Sequence, residues 1–263
     1  PLRAHGLGIA SSTSPERVSD ELAAEMSVYN ITTAELGVQS FSDNVLAANK
    51  RGYRQKDIFA AFARIPKGAK KACQLMVGMY GEERADVALA AEFLPATGVD
   101  YVRIYPTVVL KDTLLADYLR DGSYVPLPPE EVLLRTAWVY MHAQTDFSRV
   151  IRIGLPPEAE DSGMIAGGWW HPACGELVRT MLVESWLRIN KSASIPFHQA
   201  LYGYKGILKN AFKELKLIET DINTAVNRFT ADLREHYRED RQWFTERAAF
   251  EFAARPCNKA DIV

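Results

Sequence analysis

The feature that most constrains this chain is a cadence. From the start to residue 154, short apolar runs alternate with helix-like stretches about every 30 residues, the length of one strand–helix–strand unit. The runs are His5–Ser11, Thr32–Val38, Ala72–Gly78, Asp100–Pro106 and Arg149–Gly154. Runs of this length, broken by single polar residues and joined by amphipathic segments, point to parallel βαβ units with right-handed crossovers. Four or five strands fit this span, so the expected fold is α/β, a partial parallel (β/α) barrel and not a complete eight-stranded one. The intervening helices are expected near Glu16–Tyr29, Gln55–Ala63, Glu82–Leu94, Leu114–Arg120 and Pro129–Ala143. Ser14 or Ser19 is placed to cap the first of them.

After Pro156-Pro157 the pattern changes. An acidic, glycine-rich loop over Glu158–Gly168 precedes Trp169-Trp170-His171-Pro172 and an amphipathic helix near Gly175–Asn190. A short strand near Phe197–Leu201, a helix at Lys205–Leu215 and a charged helical tail from Glu219 to Ala254 complete it. The expected organisation is a partial barrel over 1–155 and a mainly helical C-terminal extension over 156–263.

Composition narrows the function classes. A formal net charge of -2 and a pI near 6.3 give no general basic footprint, so charge alone does not argue for nucleic acid. No apolar run has the length of a membrane span. Cys73, Cys174 and Cys257 lie far apart and form neither a CxxC pair nor a disulfide framework, which suits a reducing cytoplasm.

Several polar residues stand where strands end, the place where α/β proteins keep their chemistry. Gln39 closes an apolar strand, so its amide must either meet a ligand or bond a neighbouring loop. Arg51, beside Gly52, is able to clamp a carboxylate or stack on adenine, or to sit on the surface as an ordinary cation. Gln74 interrupts the run Cys73–Val77 and needs a partner. Gly78 and Gly81 flank a turn whose N–H groups can approach an anion. Helix capping accounts for at least one of Ser12, Thr13 and Ser14. Tyr105 suits core or pocket wall equally. A lone His171 between Trp170 and Pro172 reads as structural, Trp169-Trp170 as a docking patch, and Lys67, Lys70 and Lys71 as a solvated loop. HExxH, P-loop and Ser-His-Asp patterns are absent from the sequence.

Four stretches together resemble one family: ELGVQS at 35–40 with NKRGY at 49–53, QLMVG at 74–78, YVRIYPTVVLKDT at 101–113, and GGWWHPACGELV at 167–178. In this order they are similar to the middle and end of a radical S-adenosylmethionine (SAM) barrel. The similar branch holds the Elongator catalytic-subunit-like and oxygen-independent coproporphyrinogen-oxidase-like proteins. The resemblance covers about residues 7–180. It implies a barrel that holds SAM and a 4Fe-4S cluster at the C-terminal ends of its strands, with reductive cleavage of SAM giving a radical that abstracts hydrogen from substrate. Carried over by position, it implies SAM contacts from Ser12, Gln39, Arg51, Gln74, Met76 and Val108. Elongator-like relatives imply tRNA as substrate, coproporphyrinogen-oxidase-like ones a tetrapyrrole.

The departures from the family pattern are specific. The CxxxCxxC loop is missing, as are the first two strands with their glycine-rich turn. Ser14 replaces an arginine, and Met79-Tyr80 replaces Leu-Pro. The expectation is therefore an N-terminally truncated, SAM-binding and substrate-side portion of a radical SAM enzyme, inactive by itself, with cluster ligands outside the sequence and an open sheet edge available for association. The alternative is a cluster-free binding or scaffold protein.

Overall fold

In the computed structural model of the chain, residues 8–155, 163–190, 194–197, 216–238 and 243–244 are described. The helix expected at Lys205–Leu215, most of the tail beyond residue 238, and Cys257 lie outside them. A five-stranded parallel sheet organises the rest. Its strands are β1 (Ile9–Thr13), β2 (Ile31–Gln39), β3 (Lys70–Val77), β4 (Tyr101–Pro106) and β6 (Arg149–Ile153), in the order β1-β2-β3-β4-β6. Neighbours in space follow the chain order, as in a barrel wound in one direction.

Each central strand has two chemically distinct faces, because successive side chains point to opposite sides. On β2, Ala34, Leu36 and Val38 are completely buried, while Glu35, Gly37 and Gln39 point the other way. On β3 and β4 the buried sets are Cys73, Leu75, Val77 and Val102, Ile104. All of these join one continuous core with the helices. The concave face therefore collects the remaining residues, which are largely polar.

The helices are α1 (Asp20–Val28), α2 (Asp43–Ala48), α3 (Gln55–Arg64), α4 (Arg84–Phe93), α5 (Leu114–Asp121), α6 (Pro129–Ala143), α7 (Cys174–Ile189) and α8 (Ile222–His236). Helix α6 is buried on nearly every side, from Val132 to Met141, since the sheet, α4, α7 and α8 surround it. Side chains fix the docking of α8: Trp186 Nε1 donates to Asp232 Oδ2 at 2.8 Å, and Gln144 Nε2 donates to Asn227 Oδ1 at 2.7 Å.

Local differences from the sequence reading have simple causes. The first helix splits, because Pro15 opens a one-turn 3-10 segment and Ser19, not Ser14, caps α1 by accepting from Leu22 N–H. Lys70 and Lys71 begin β3 and do not lie in a loop; Asp100 holds both, accepting from Lys70 Nζ at 2.6 Å and Lys71 N–H at 2.9 Å. The span Thr107–Asp112 contains a short strand β5 (Val109–Leu110), paired antiparallel with β7 (Ile165–Gly167). A further two-stranded parallel sheet joins β8 (Ser194–Phe197) to β9 (Lys216–Glu219), so the late strand begins before Phe197.

Candidate functional site

The concave face carries a string of polar side chains that crosses the sheet. Strand register places Ser12 opposite Glu35, Gln74 opposite Arg103, and Arg103 opposite Arg152. Glu35 is the hub. Its Oε1 accepts from Ser12 Oγ at 2.8 Å and from Gln74 Nε2, while Arg103 Nε lies 3.1 Å from Oε2. A carboxylate this deeply buried requires such partners, since desolvation otherwise outweighs any local gain. Ser12 and Gln74 are thus drawn together through a residue that sequence reading passed over. Its signal was available: Thr33, Glu35, Gly37 and Gln39 alternate with Ala34, Leu36 and Val38, so the acidic residue had to share a face with Gln39.

Gln39 ends β2 with a left-handed backbone, φ 63°, a conformation uncommon for residues with a side chain. The pairing of β2 with β3 shifts between Gly37 and Gln39, which turns the amide back over Gly37. A β-carbon at residue 37 would stand 2.8 Å from Gln39 Nε2, so glycine there leaves room for the amide on the concave face. Met76 stands on the same face of β3, opposite Tyr105.

Arg51 occupies a groove beside this rim, lined also by Asp43, Asn44, Ala47, Gly52, Tyr53 and Arg54. Gln39 is not among its lining residues. The link between the two is Tyr53, buried beneath the groove, whose hydroxyl donates to Gly37 O at 2.6 Å with Val38 O at 3.1 Å. Burial pushes the Tyr53 phenol well above its usual range, so it remains a donor. Tyr53→Phe should cost about 1 kcal/mol, the net value of a buried hydrogen bond. Urea denaturation that showed no loss would mean the hydroxyl does not hold this strand end.

Val108 follows β4 and helps wall a small pocket with Pro106, Gly154, Leu155, Trp169, Trp170, His171 and Cys174. Gly168, at φ 88°, lets the 167–170 segment approach closely, because a β-carbon there would meet Thr107 O at 3.1 Å. His171 is buried, stacks on Trp169 and accepts from Ala173 N–H through Nδ1 at 3.0 Å. The turn after β3 also resolves: the Gly78 N–H donates to Glu82 Oε1 at 2.7 Å, so the chain's own carboxylate fills the anion position that the glycines suggested.

A family model described as the Radical SAM superfamily matches residues 2–94, and one described as the Radical_SAM C-terminal domain matches residues 99–184. The chain belongs to the radical SAM superfamily. The tRNA uridine(34) acetyltransferase of Methanocaldococcus infernus is 26% identical over 223 residues, covering 82% of this chain and 40% of that protein. Human (Homo sapiens) Elongator complex protein 3 is 27% identical over 168 residues, covering 61% of this chain and 30% of that protein. The solved structure of the archaeal Methanocaldococcus infernus Elp3 with an N-terminal deletion superposes with a TM-score of 0.59 at 25% identity, over 68% of this chain and 42% of that one. The chain thus spans less than half the length of these relatives.

Radical SAM proteins as a family use SAM and a 4Fe-4S cluster. Among the described residues no cluster of three or more His, Cys, Asp or Glu is arranged to hold a metal. Cluster ligation needs thiolates. Cys73 faces the helical core from β3, and Cys174 opens α7; burial raises both thiols, Cys174 to about 12. The described residues do not fit the cluster.

Proposed function

We propose that this chain is the SAM-binding and substrate-side portion of a radical SAM enzyme. The observation that carries the reading is that Ser12 and Gln74 meet on Glu35 and the Gln39 amide folds over Gly37, all on the concave face of three adjacent strands. Ser12, Gln39 and Gln74 would hold polar groups of SAM, Met76 and Val108 its apolar surfaces, and Arg51 would contact it from the rim. SAM supplies a radical source when it meets a reducing cluster. The chain's own part is to orient the nucleoside and shield it from water. The cluster itself is assigned to ligands other than the described residues, so the chain alone should be inactive. The names of the relatives favour tRNA as the substrate of the parent enzyme, with a small molecule as the alternative. Among the described residues no helix is long and apolar enough to cross a membrane. A cytoplasmic location, and association through the outer edges of β1 or β6, complete the proposal.

The test is calorimetric titration of the chain with SAM. Binding that weakens at least tenfold in both Gln39→Ala and Arg51→Ala supports the reading. Absence of binding would favour the second one, a cluster-free binding or scaffold protein, which rests on the poor fit of the described cysteines to a cluster. Anaerobic reconstitution that gave a stoichiometric cluster chromophore would overturn the predicted inactivity.

A further inference from the structure

The concave face holds more positive than negative charge at one level. Arg103 on β4 and Arg152 on β6 are register partners, so their Cα atoms lie on adjacent strands and their side chains leave the same face. The extra residue Ile151 at the irregularity of β6 makes this possible: Val150 and Ile153 pack on the core, and Arg152 turns to the open side. Among the described residues, only Glu35 opposes the pair. It lies 3.1 Å from Arg103 Nε, at an angle that does not make a hydrogen bond. Arg152 has no partner among the described residues. The Arg103 side chain remains 37% exposed while Glu35, itself steadied by Ser12 and Gln74, holds it in place.

Two guanidiniums held side by side repel each other, and one buried carboxylate neutralises only one of them. A planar fork with unused N–H groups matches an oxyanion by geometry as well as charge. We propose that Arg103 and Arg152 form an oxyanion-binding site on the concave face, with Glu35 as the positioning residue that presents Arg103. The ligand is a phosphate or carboxylate group. It comes either from the substrate or from the carboxylate of SAM. The proposal rests on the functional reading above only in taking the concave face as the ligand side.

The experiment uses inorganic phosphate and the full chain, followed by calorimetry, with SAM added in a second series. Wild type should bind phosphate at millimolar concentration or tighter. Arg152→Gln, at an exposed position without a structural partner, should bind at least tenfold more weakly. Arg103→Lys should weaken binding too, because an ammonium lacks the fork, and it spares Glu35 an unpaired burial. Arg120→Gln, at an exposed position on α5 where Asp117 already pairs the arginine, should bind like wild type. If SAM competes with phosphate, the cofactor carboxylate is the natural ligand; if both bind together, the anion belongs to the substrate. Phosphate binding that is absent, or unchanged in Arg152→Gln, overturns the proposal. Either result with SAM binding intact leaves the cofactor reading standing.

Discussion

Replacing Arg135 with methionine should lower the folding free energy by about 3–5 kcal/mol, the usual consequence of stripping one partner from a buried ion pair. Arg135 lies on α6 with a side chain 8% exposed, and it ties that helix to the turn after β3. Its Nη1 donates to Glu82 O at 3.0 Å and to Glu82 Oε1 at 3.3 Å, and its Nε donates to Glu131 Oε1 at 2.6 Å. Glu131 keeps Arg84, which grips it through two bonds of 2.9 and 2.6 Å. Glu82, with a side chain 2% exposed, would keep only the backbone N–H groups of Gly78 and Met79.

The loss should depend on pH, and the sign is set by Glu82. Burial raises its carboxyl to about 7, against the pull of the Gly78 N–H and Arg135. A folded pKa above the ordinary 4.5 means the folded state binds the proton more tightly than the unfolded chain. Stability from this group is fully present below pH 4.5 and disappears as pH rises through 7. Without Arg135 the proton is held still more firmly, so the defect of Arg135→Met should be larger at pH 8 than at pH 5. His142, which burial depresses to about 3, titrates in wild type and variant alike and cancels in the comparison. Urea denaturation at the two pH values checks this. Equal losses at both, or a loss below about 1 kcal/mol, would mean the ion pair does not anchor the turn.

Gly37→Val should separate ligand binding from stability. The backbone at residue 37 is not left-handed, so a β-branched side chain suits the strand itself. Its β-carbon would collide with the Gln39 amide, 2.8 Å away, and the amide is the part free to swing aside. SAM affinity should fall more than tenfold while stability changes by about 1 kcal/mol, at the mild end of overpacking effects. Paired calorimetry and urea denaturation measure both. Unchanged affinity would remove Gln39 from the cofactor site, and a collapse of stability would make the crowding structural.

The centre of the sheet was legible because β2, β3 and β4 each bury an apolar face against helices, and such runs leave a plain sequence trace. Most helix limits followed from capping and proline for the same reason. The polar face was only half legible. Gln39 and Gln74 stood out as interruptions of apolar runs, but Glu35 and Arg103 looked like ordinary strand residues. Their importance comes from register across strands more than 30 residues apart in sequence, which no local pattern encodes. Arg51 shows the converse. Its motif suggested a shared pocket with Gln39, whereas the chain connects them through Tyr53, by hydrogen bonds to the carbonyls of Gly37 and Val38. The glycines after β3 promised an external anion, and Glu82 four residues on supplies an internal one. The antiparallel pairing of β5 with β7 also went unread, since two and three residues are too few for alternation to register.

Amide chemical shifts of the isotopically labelled chain, followed as SAM is added, will show whether the nucleoside cofactor sits on the concave face of the sheet. Saturable shifts are expected at residues 12–13, 37–39, 74–76 and 107–109, with the outer helices unmoved. Shifts confined to α7 and α8, or none at millimolar SAM, would contradict it.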